Sequence, residues 1–405
     1  MTRSTAQFVQ TGTSVRGVTG VQKKQAGGFP SVLLIADDLT GACDSGLAFA
    51  KEGYAVTVRW SQPGEVAGTE AGVLAISADT RNLRPGEAGS RVRDFKCLRE
   101  FGGSVLFHKV DSAGRGNPGE ELLAIMEICG CEAVVYTPAF PSAGRRVRNA
   151  RLEVSDFSGQ RDGFDLMHSI PKPEQKRVCI LPASDADELR RGMIQARERG
   201  KDIWLCDAET QEDLKQIAAV AAELPMRLLW SGSAGLAAAV AGKLGKCERA
   251  GVPENVRLPA AGRTLAVVGT DHPVTVEQTR RLVEQATELV MGDEVPVPNF
   301  GCGVVVVDWS RMDRASLRSF WMRLHVGEQP KVDSLVLTGG DTAAFVLDAL
   351  EAEALDLRGE VEPGIPWSVM RGGWADGCVA LTKSGGFGNE DSLVGMVEFC
   401  RRMRI

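Results

Sequence analysis

Two adjacent acids, Asp37 and Asp38, stand directly after the apolar run Val32–Ala36 and just ahead of a helical pattern over 40–52. In a parallel α/β sheet, a strand that ends in acids before a helix puts them at the carboxyl edge, where ligands bind. Neighbouring carboxylates repel each other. They are best tolerated with a cation, a proton or a donor-rich ligand between them. The bland alternative is a capped helix start. A second loop, 108–121 (HKVDSAGRGNPGEE), carries Lys109, Asp111, Ser112 and Arg115 within seven residues. Arginine offers a two-pronged fork and lysine a point charge, a set suited to a small polyhydroxy anion. A solvated turn closed by an Asp–Arg pair is the competing reading.

Two further stretches are rich in glycine, Leu337-Thr338-Gly339-Gly340-Asp341-Thr342 and Thr382-Lys383-Ser384-Gly385-Gly386-Phe387-Gly388. Each follows an apolar run. Glycines let backbone N–H groups crowd against a phosphate, and a helix N-terminus favours negative charge. Either could be an ordinary tight turn; two in one half of the chain point to phosphate binding. Ser231-Gly232-Ser233-Ala234-Gly235 is a further candidate of the same kind. Acids and a basic loop in one half, with phosphate loops in the other, suit phosphoryl transfer in an interdomain cleft. That reaction needs positioning, neutralisation by Mg²⁺ and basic groups, and a carboxylate to take the hydroxyl proton.

Absent motifs narrow the field. No G-x-x-x-x-G-K-[ST] occurs, and no G-x-G-x-x-G follows the first strand, which argues against P-loop and dinucleotide folds. No G-x-S-x-G or H-E-x-x-H occurs either. Of the four histidines only His108 lies beside a candidate loop.

The elements that must position these residues alternate. Short apolar strands and amphipathic helices succeed one another, which predicts two layered α/β domains with mostly parallel sheets and an active-site cleft between them. A helix is expected over 87–101, another over 274–290 and another over 314–325. Residues 140–176 break the rhythm and read as a long functional loop, an arm or a lid. Residues 1–28 read as a disordered lead, 29–247 as one domain and 264–405 as a second, with 246–263 as a polar, proline-bearing linker.

At 405 residues two domains are expected. The net charge of −6 gives no electrostatic basis for a nucleic-acid partner. No apolar run is long enough to span a membrane. The ten cysteines are scattered and lack zinc spacing, which points to reduced thiols and the cytoplasm. A homodimer stays open.

Taken in order, these motifs resemble the four-carbon acid sugar kinase family from about residue 32 to 397. IADDLTGACDSG at 35–46 is similar to its opening signature. Thr80-Arg81 with Glu87-Ala88 is similar to the next block, and Lys109-Val110-Asp111-Ser112 with Arg115-Gly116-Asn117 to the one after. Pro138-Ala139-Phe140-Pro141, Asp207-Ala208-Glu209-Thr210 and Ser231–Gly235 follow in order. LTGGDTAAFVL at 337–347, Glu362-Pro363-Gly364-Ile365-Pro366 and TKSGGFGNED at 382–391 close the series.

The resemblance implies an ATP-dependent kinase that phosphorylates the 4-hydroxyl of threonate, erythronate or 3-oxo-tetronate. Its N-terminal domain would bind the acid and its C-terminal domain the nucleotide, with ATP and Mg²⁺ as cofactors. It implies Asp37 or Asp38 as the base. Arg81, Lys109, Asp111, Ser112 and Arg115 would hold the acid. Ser231, Gly339, Gly340, Asp341, Thr342, Lys383, Gly385 and Gly386 would surround ATP. The family has Ser-Thr-Leu-Arg-Gly where this chain has Ser112-Ala113-Gly114-Arg115-Gly116. A proline, Pro118, replaces an aliphatic residue. These departures leave room for a kinase of another small hydroxy acid, or for an inactive sugar-acid-binding protein of the same fold.

Overall fold

The alternating pattern folds, in the computed structural model, into a layered α/β molecule. The structure describes residues 30–60, 72–156, 159–247, 262–286, 288–291, 303–308 and 332–403. The chain opens with β1 (Val32–Ala36), α1 (Leu39–Lys51), β2 (Val56–Trp60) and β3 (Val73–Ser77). Then come α2 (Pro85–Arg93), α3 (Lys96–Glu100), β4 (Val105–Lys109), α4 (Pro118–Cys129) and β5 (Ala133–Thr137). An excursion, β6 (Arg145–Arg148), β7 (Arg151–Asp156) and β8 (Gly159–Asp165), precedes β9 (Val178–Leu181), α5 (Ala186–Glu198), β10 (Ile203–Cys206), α6 (Gln211–Ala221), β11 (Leu228–Gly232) and α7 (Ala234–Leu244). The second half has β12 (Arg263–Val268), α8 (Pro273–Val283), β13 (Glu288–Met291), β14 (Gly303–Asp308) and β15 (Ser334–Thr338). It closes with α9 (Gly340–Ala349), β16 (Ala354–Glu362), β17 (Ile365–Arg371), β18 (Val379–Lys383) and α10 (Ser392–Arg402).

The parallel strands are apolar and buried, as strands covered on both faces must be. The first half contributes the order β2-β3-β1-β4-β11-β5-β10-β9, all parallel. The second contributes the parallel set β13-β14-β12-β15-β18. Within the described residues these are not two separate sheets. The antiparallel hairpin β16–β17 joins β18 to β2, giving one sheet of fifteen strands. Three successive antiparallel pairings reverse the second set relative to the first.

Twist accumulates at roughly 20–25° per strand pair, and the sheet wraps α1, which touches β2 and β3 as well as β16 and β17. Gly46 makes this contact close. A Cβ there would stand 3.0 Å from Leu357 Cδ1 and 3.1 Å from Val56 Cγ1, on the two strands of the seam. Polar bonds also cross the seam. Thr57 Oγ1 donates to Asp356 at 2.9 Å, and Trp60 Nε1 donates to Asp348 of α9 at 2.6 Å.

Several expectations change. The helix expected over 87–101 is two, α2 and α3, interrupted at Asp94 and Phe95. The helix expected to run to 290 stops at Val283, and β13 follows. The 140–176 loop is an arm with its own antiparallel sheet, β6-β7-β8. Asp207 anchors its tip by accepting the N–H groups of Asn149 and Ala150, at 2.7 and 2.9 Å. Both tip residues have positive φ, 50° and 60°, the geometry of a tight hairpin turn. The lead over 1–28, the helix expected over 314–325 and most of the 246–263 linker lie outside the described residues.

Candidate active site

Three neighbouring strands, β3, β1 and β4, end at one edge, and their following loops meet there. From β1 come Asp37 and Asp38, 3% and 4% exposed. Asp38 caps α1: its Oδ1 accepts the Gly41 N–H at 2.7 Å and its Oδ2 the Thr40 hydroxyl at 2.9 Å. From the end of β3 comes Arg81, whose guanidinium gathers the acids. Its Nε and Nη2 fork onto Asp37 at 2.8 and 2.9 Å, and Nη1 bonds Asp38. Its Nη2 also stands 3.5 Å from Asp111. From β4 come Lys109, 5% exposed, and the loop behind it.

Asp111 shapes that loop. It accepts the Ala113 and Arg115 N–H groups at 2.9 and 3.3 Å, and Arg115 Nη2 at 2.6 Å. Gly114 and Gly116 have φ of +80° and +86°, a backbone that residues with a Cβ rarely adopt. A Cβ on Gly114 would touch Leu152 and Phe164 of the arm at 3.4 Å. The arm therefore packs over the very loop whose sequence departs from the family pattern. Ser112 is half-buried at its start.

The electrostatics follow from burial. Desolvation pushes the Asp37 carboxyl up to about 6; Arg81 opposes this, Asp38 adds to it and Lys109 opposes it. Burial likewise raises Asp44, on α1, to about 6, against the pull of Lys109. Burial also works to raise Asp111, but Arg115, Arg81 and Lys109 outweigh it and hold that carboxyl well below the usual range.

The second half brings three adjacent strand ends together, those of β12, β15 and β18. They touch through positions without side chains. A Cβ on Gly269 would fall 1.7 Å from Thr342 Oγ1, and one on Gly385 would fall 2.8 Å from Thr270 Oγ1. Gly339, at φ +91°, starts the turn into α9, and its N–H bonds the Lys383 carbonyl at 2.9 Å. Gly340, Asp341 and Thr342 form the first turn of α9, so their N–H groups are those a helix leaves open to an anion. Gly386 lies beside the His272 ring.

The two clusters meet. A Cβ on Gly340 would stand 2.6 Å from Asp38 Oδ2, and Asn82, next to Arg81, donates to Asp341 at 3.0 Å.

Two of the expected nucleotide residues point elsewhere. The Lys383 ammonium is fully buried inside its own loop. It donates to the Thr275 hydroxyl and the Ser384 carbonyl at 3.0 Å, and lies 3.2 and 3.4 Å from the Phe387 and Gly385 carbonyls. Burial pushes its pKa down to about 7, with Glu362 opposing. Lys383 thus organises the turn from within. Ser231 is buried on the sheet face beneath α4, bonded to His108 at 2.9 Å, which in turn meets Glu121 at 3.0 Å. Sequence reading also passed over the loop 269–272, Asn82 and Asp44. Asp44 was visible inside the IADDLTGACDSG motif but reads there as helix interior.

These strand-end clusters, one rich in charge and one in glycine, lie side by side at the carboxyl edges of their strands. Residues 32–240 match a sugar-binding N-terminal domain and 311–393 a nucleotide-binding C-terminal domain. The D-threonate kinase of Cupriavidus necator is 31% identical over 412 residues, covering 90% of this chain and 96% of that one. The 3-oxo-tetronate kinase of Pseudomonas fluorescens is 24% identical over 419 residues, covering 89% and 95%. A solved Salmonella typhimurium LT2 protein superposes with a TM-score of 0.70 at 17% identity, covering 90% of this chain and 98% of that one; the likeness is one of fold. The chain belongs to the four-carbon acid sugar kinase family. Among the described residues no helix is long and apolar enough to cross a membrane.

Proposed function

We propose that the chain transfers the γ-phosphoryl group of ATP to the 4-hydroxyl of a four-carbon sugar acid, threonate, erythronate or 3-oxo-tetronate. Residues 29–247 would bind the acid and 264–405 the nucleotide. The observation that carries this reading is the contact between the two clusters, Asp38 against Gly340 and Asn82 against Asp341. It puts an acid pair beside the helix N-terminus where phosphate oxygens would sit.

Asp37 is the better candidate for the base. The oxygens of Asp38 already accept from three donors, whereas among the described residues those of Asp37 accept only from Arg81. A carboxyl near 6 is also closer to the range that suits proton transfer at neutral pH. Arg115 supplies positive charge for the acid's carboxylate, Lys109 supplies a donor to the acid, and Arg81 keeps Asp37 and Asp38 in register. The N–H groups of Gly340, Asp341 and Thr342 would cradle phosphate, with Lys383 holding the neighbouring turn in shape.

Among the described residues no group of three or more His, Cys, Asp or Glu side chains forms a metal cage. Mg²⁺ needs only one or two carboxylates beside phosphate oxygens. The donor set fits: Asp37, Asp38, Asp44 and Asp111 face Arg81, Lys109 and Arg115, a local surplus of acid to which ATP adds more. Asp38 and Asp341, at the junction, are the carboxylates that would hold the ion. When bound it would neutralise charge on the phosphates. The free thiols of the described cysteines favour a cytoplasmic setting.

The test is ADP release from ATP, followed over both threonates, both erythronates and the 3-oxo-tetronates. Turnover on at least one acid is expected. ATP binding with no turnover on any of them would refute the assignment. The glycine-bearing 112–116 loop under the arm favours the second reading, another small hydroxy acid, if glycerate or a five-carbon acid is used instead.

A further inference from the structure

Lys109 and Asp44 are opposite charges that lie near each other and do not meet. After burial itself, Lys109 is the strongest influence on the Asp44 carboxyl. Yet no ion pair joins them among the described residues. The ammonium has three protons to give, and its hydrogen bond among the described residues goes to the Val110 carbonyl at 2.9 Å. It is 5% exposed. The Asp44 carboxylate is half-buried and accepts no hydrogen bond from the described residues.

Gly41 explains the gap. A Cβ on Gly41 would stand 3.1 Å from Lys109 Nζ, so the ammonium rests against α1 at that point. Asp44 is three residues further along the same face of α1, so the two groups flank one stretch of helix without pairing. A single group that both accepts and donates would bridge them with two hydrogen bonds. Substrate carboxylate does not suit the space, because Asp44 and Asp38 would both repel it. A cation does not suit it, because Lys109 would. A hydroxyl is neutral and both donates and accepts.

Building on the sugar-acid reading above, we propose that a secondary hydroxyl of the four-carbon acid, at C2 or C3, fills this gap. Its oxygen accepts from Lys109 and its proton is given to Asp44. Asp44 is thereby a specificity-determining residue. A keto oxygen at the same carbon would satisfy Lys109 and leave Asp44 without a donor. A site built to bond a hydroxyl discriminates strongly against the analogue that lacks it.

The experiment compares wild type with Asp44→Ala, which a helix interior tolerates, and with Asp44→Asn, which keeps the shape. The substrates are the preferred four-carbon acid and its 2-deoxy and 3-deoxy analogues. For wild type, loss of one particular hydroxyl should raise KM about 10- to 100-fold. Asp44→Ala should raise KM for the parent acid by a similar factor and lose the discrimination, with KM for ATP within about twofold. Asp44→Asn should fall between. An Asp44→Ala enzyme that still discriminates as wild type does overturns the proposal. So does one that changes only the Mg²⁺ dependence. Wild type inert on every four-carbon acid overturns the parent reading and this one with it; wild-type turnover with an indifferent Asp44→Ala overturns this one alone.

Discussion

The two halves of the cleft are built from different materials. The sugar side is made of charged side chains that hold one another: Arg81 on Asp37, Asp38 and Asp111, and Arg115 on Asp111. The nucleotide side is made of backbone, with glycines where strand-end loops press together and one lysine consumed inside a turn. In the proposed reading charge would recognise a small acid with several hydroxyls, and it answers to pH and to loss of a partner. Backbone would recognise phosphate by shape, and it answers to an added methyl group. The contrast implies that the two halves fail in different ways.

The largest effect is expected on the sugar side. Arg81→Met leaves three buried or nearly buried carboxylates without their common cation, a loss of about 3–5 kcal/mol for a buried pair. Steady-state kinetics should show kcat/KM for the acid down at least about 100-fold, with a lowered Tm. A change of less than about threefold would mean that the acids do not depend on Arg81. On the nucleotide side, Gly269→Ala drives a methyl group into Thr342 Oγ1. Overpacking of this kind costs about 1–3 kcal/mol. KM for ATP should rise while KM for the acid stays within about twofold. Equal effects on both would erase the distinction between the halves.

A smaller effect separates the halves by pH. Asp37 and Asp44 both titrate near 6. Turnover should therefore fall as pH drops below about 6, and ATP binding should not follow the same curve. The stability effect has the opposite sign to that of an ordinary salt-bridged aspartate. With a folded pKa near 6 against 3.8 unfolded, the folded state binds more protons between those values. Stability from this group is therefore present below about 4 and lost as pH rises to about 6. Asp37→Asn should flatten that part of a Tm-against-pH curve. The smallest expected change is in Lys383→Met, which removes the charged donor from the turn. With its pKa pushed down to about 7 the donor is only partly charged, so a loss of about 0.5–1.5 kcal/mol should appear as a raised KM for ATP and leave the acid's KM alone. An unchanged KM for ATP would show that the turn does not need its internal cation.

Legibility in the sequence followed the same division. The acid pair, the Lys109–Arg115 loop and the two glycine turns are short and local, so each could be read without knowing what it touches. Arg81 could not be read in that way. It meets Asp37 across 44 residues of chain, and only the resemblance brought it forward. The direction of Lys383 was invisible, because a lysine beside glycines looks the same whether it faces a phosphate or its own carbonyls. The arm was expected but its strands were not, because they are largely polar and carry little period-two apolar signal. The single sheet was missed for a related reason. The β16–β17 hairpin contains Gly359 and two register shifts, which break the alternation that marks a strand. Hydrophobic runs told where buried strands lie, but pairing across the seam depends on register between residues some 300 positions apart.

The most direct test of phosphoryl transfer at the junction of these halves is kcat for Asp37→Asn, measured beside its dissociation constant for ATP. The predicted result is a fall in kcat of about 10²- to 10⁴-fold, the range for a lost general base, with ATP bound as in wild type. Near-wild-type kcat would contradict it, because the acid that Arg81 holds next to Asp38 would then take no part in the reaction.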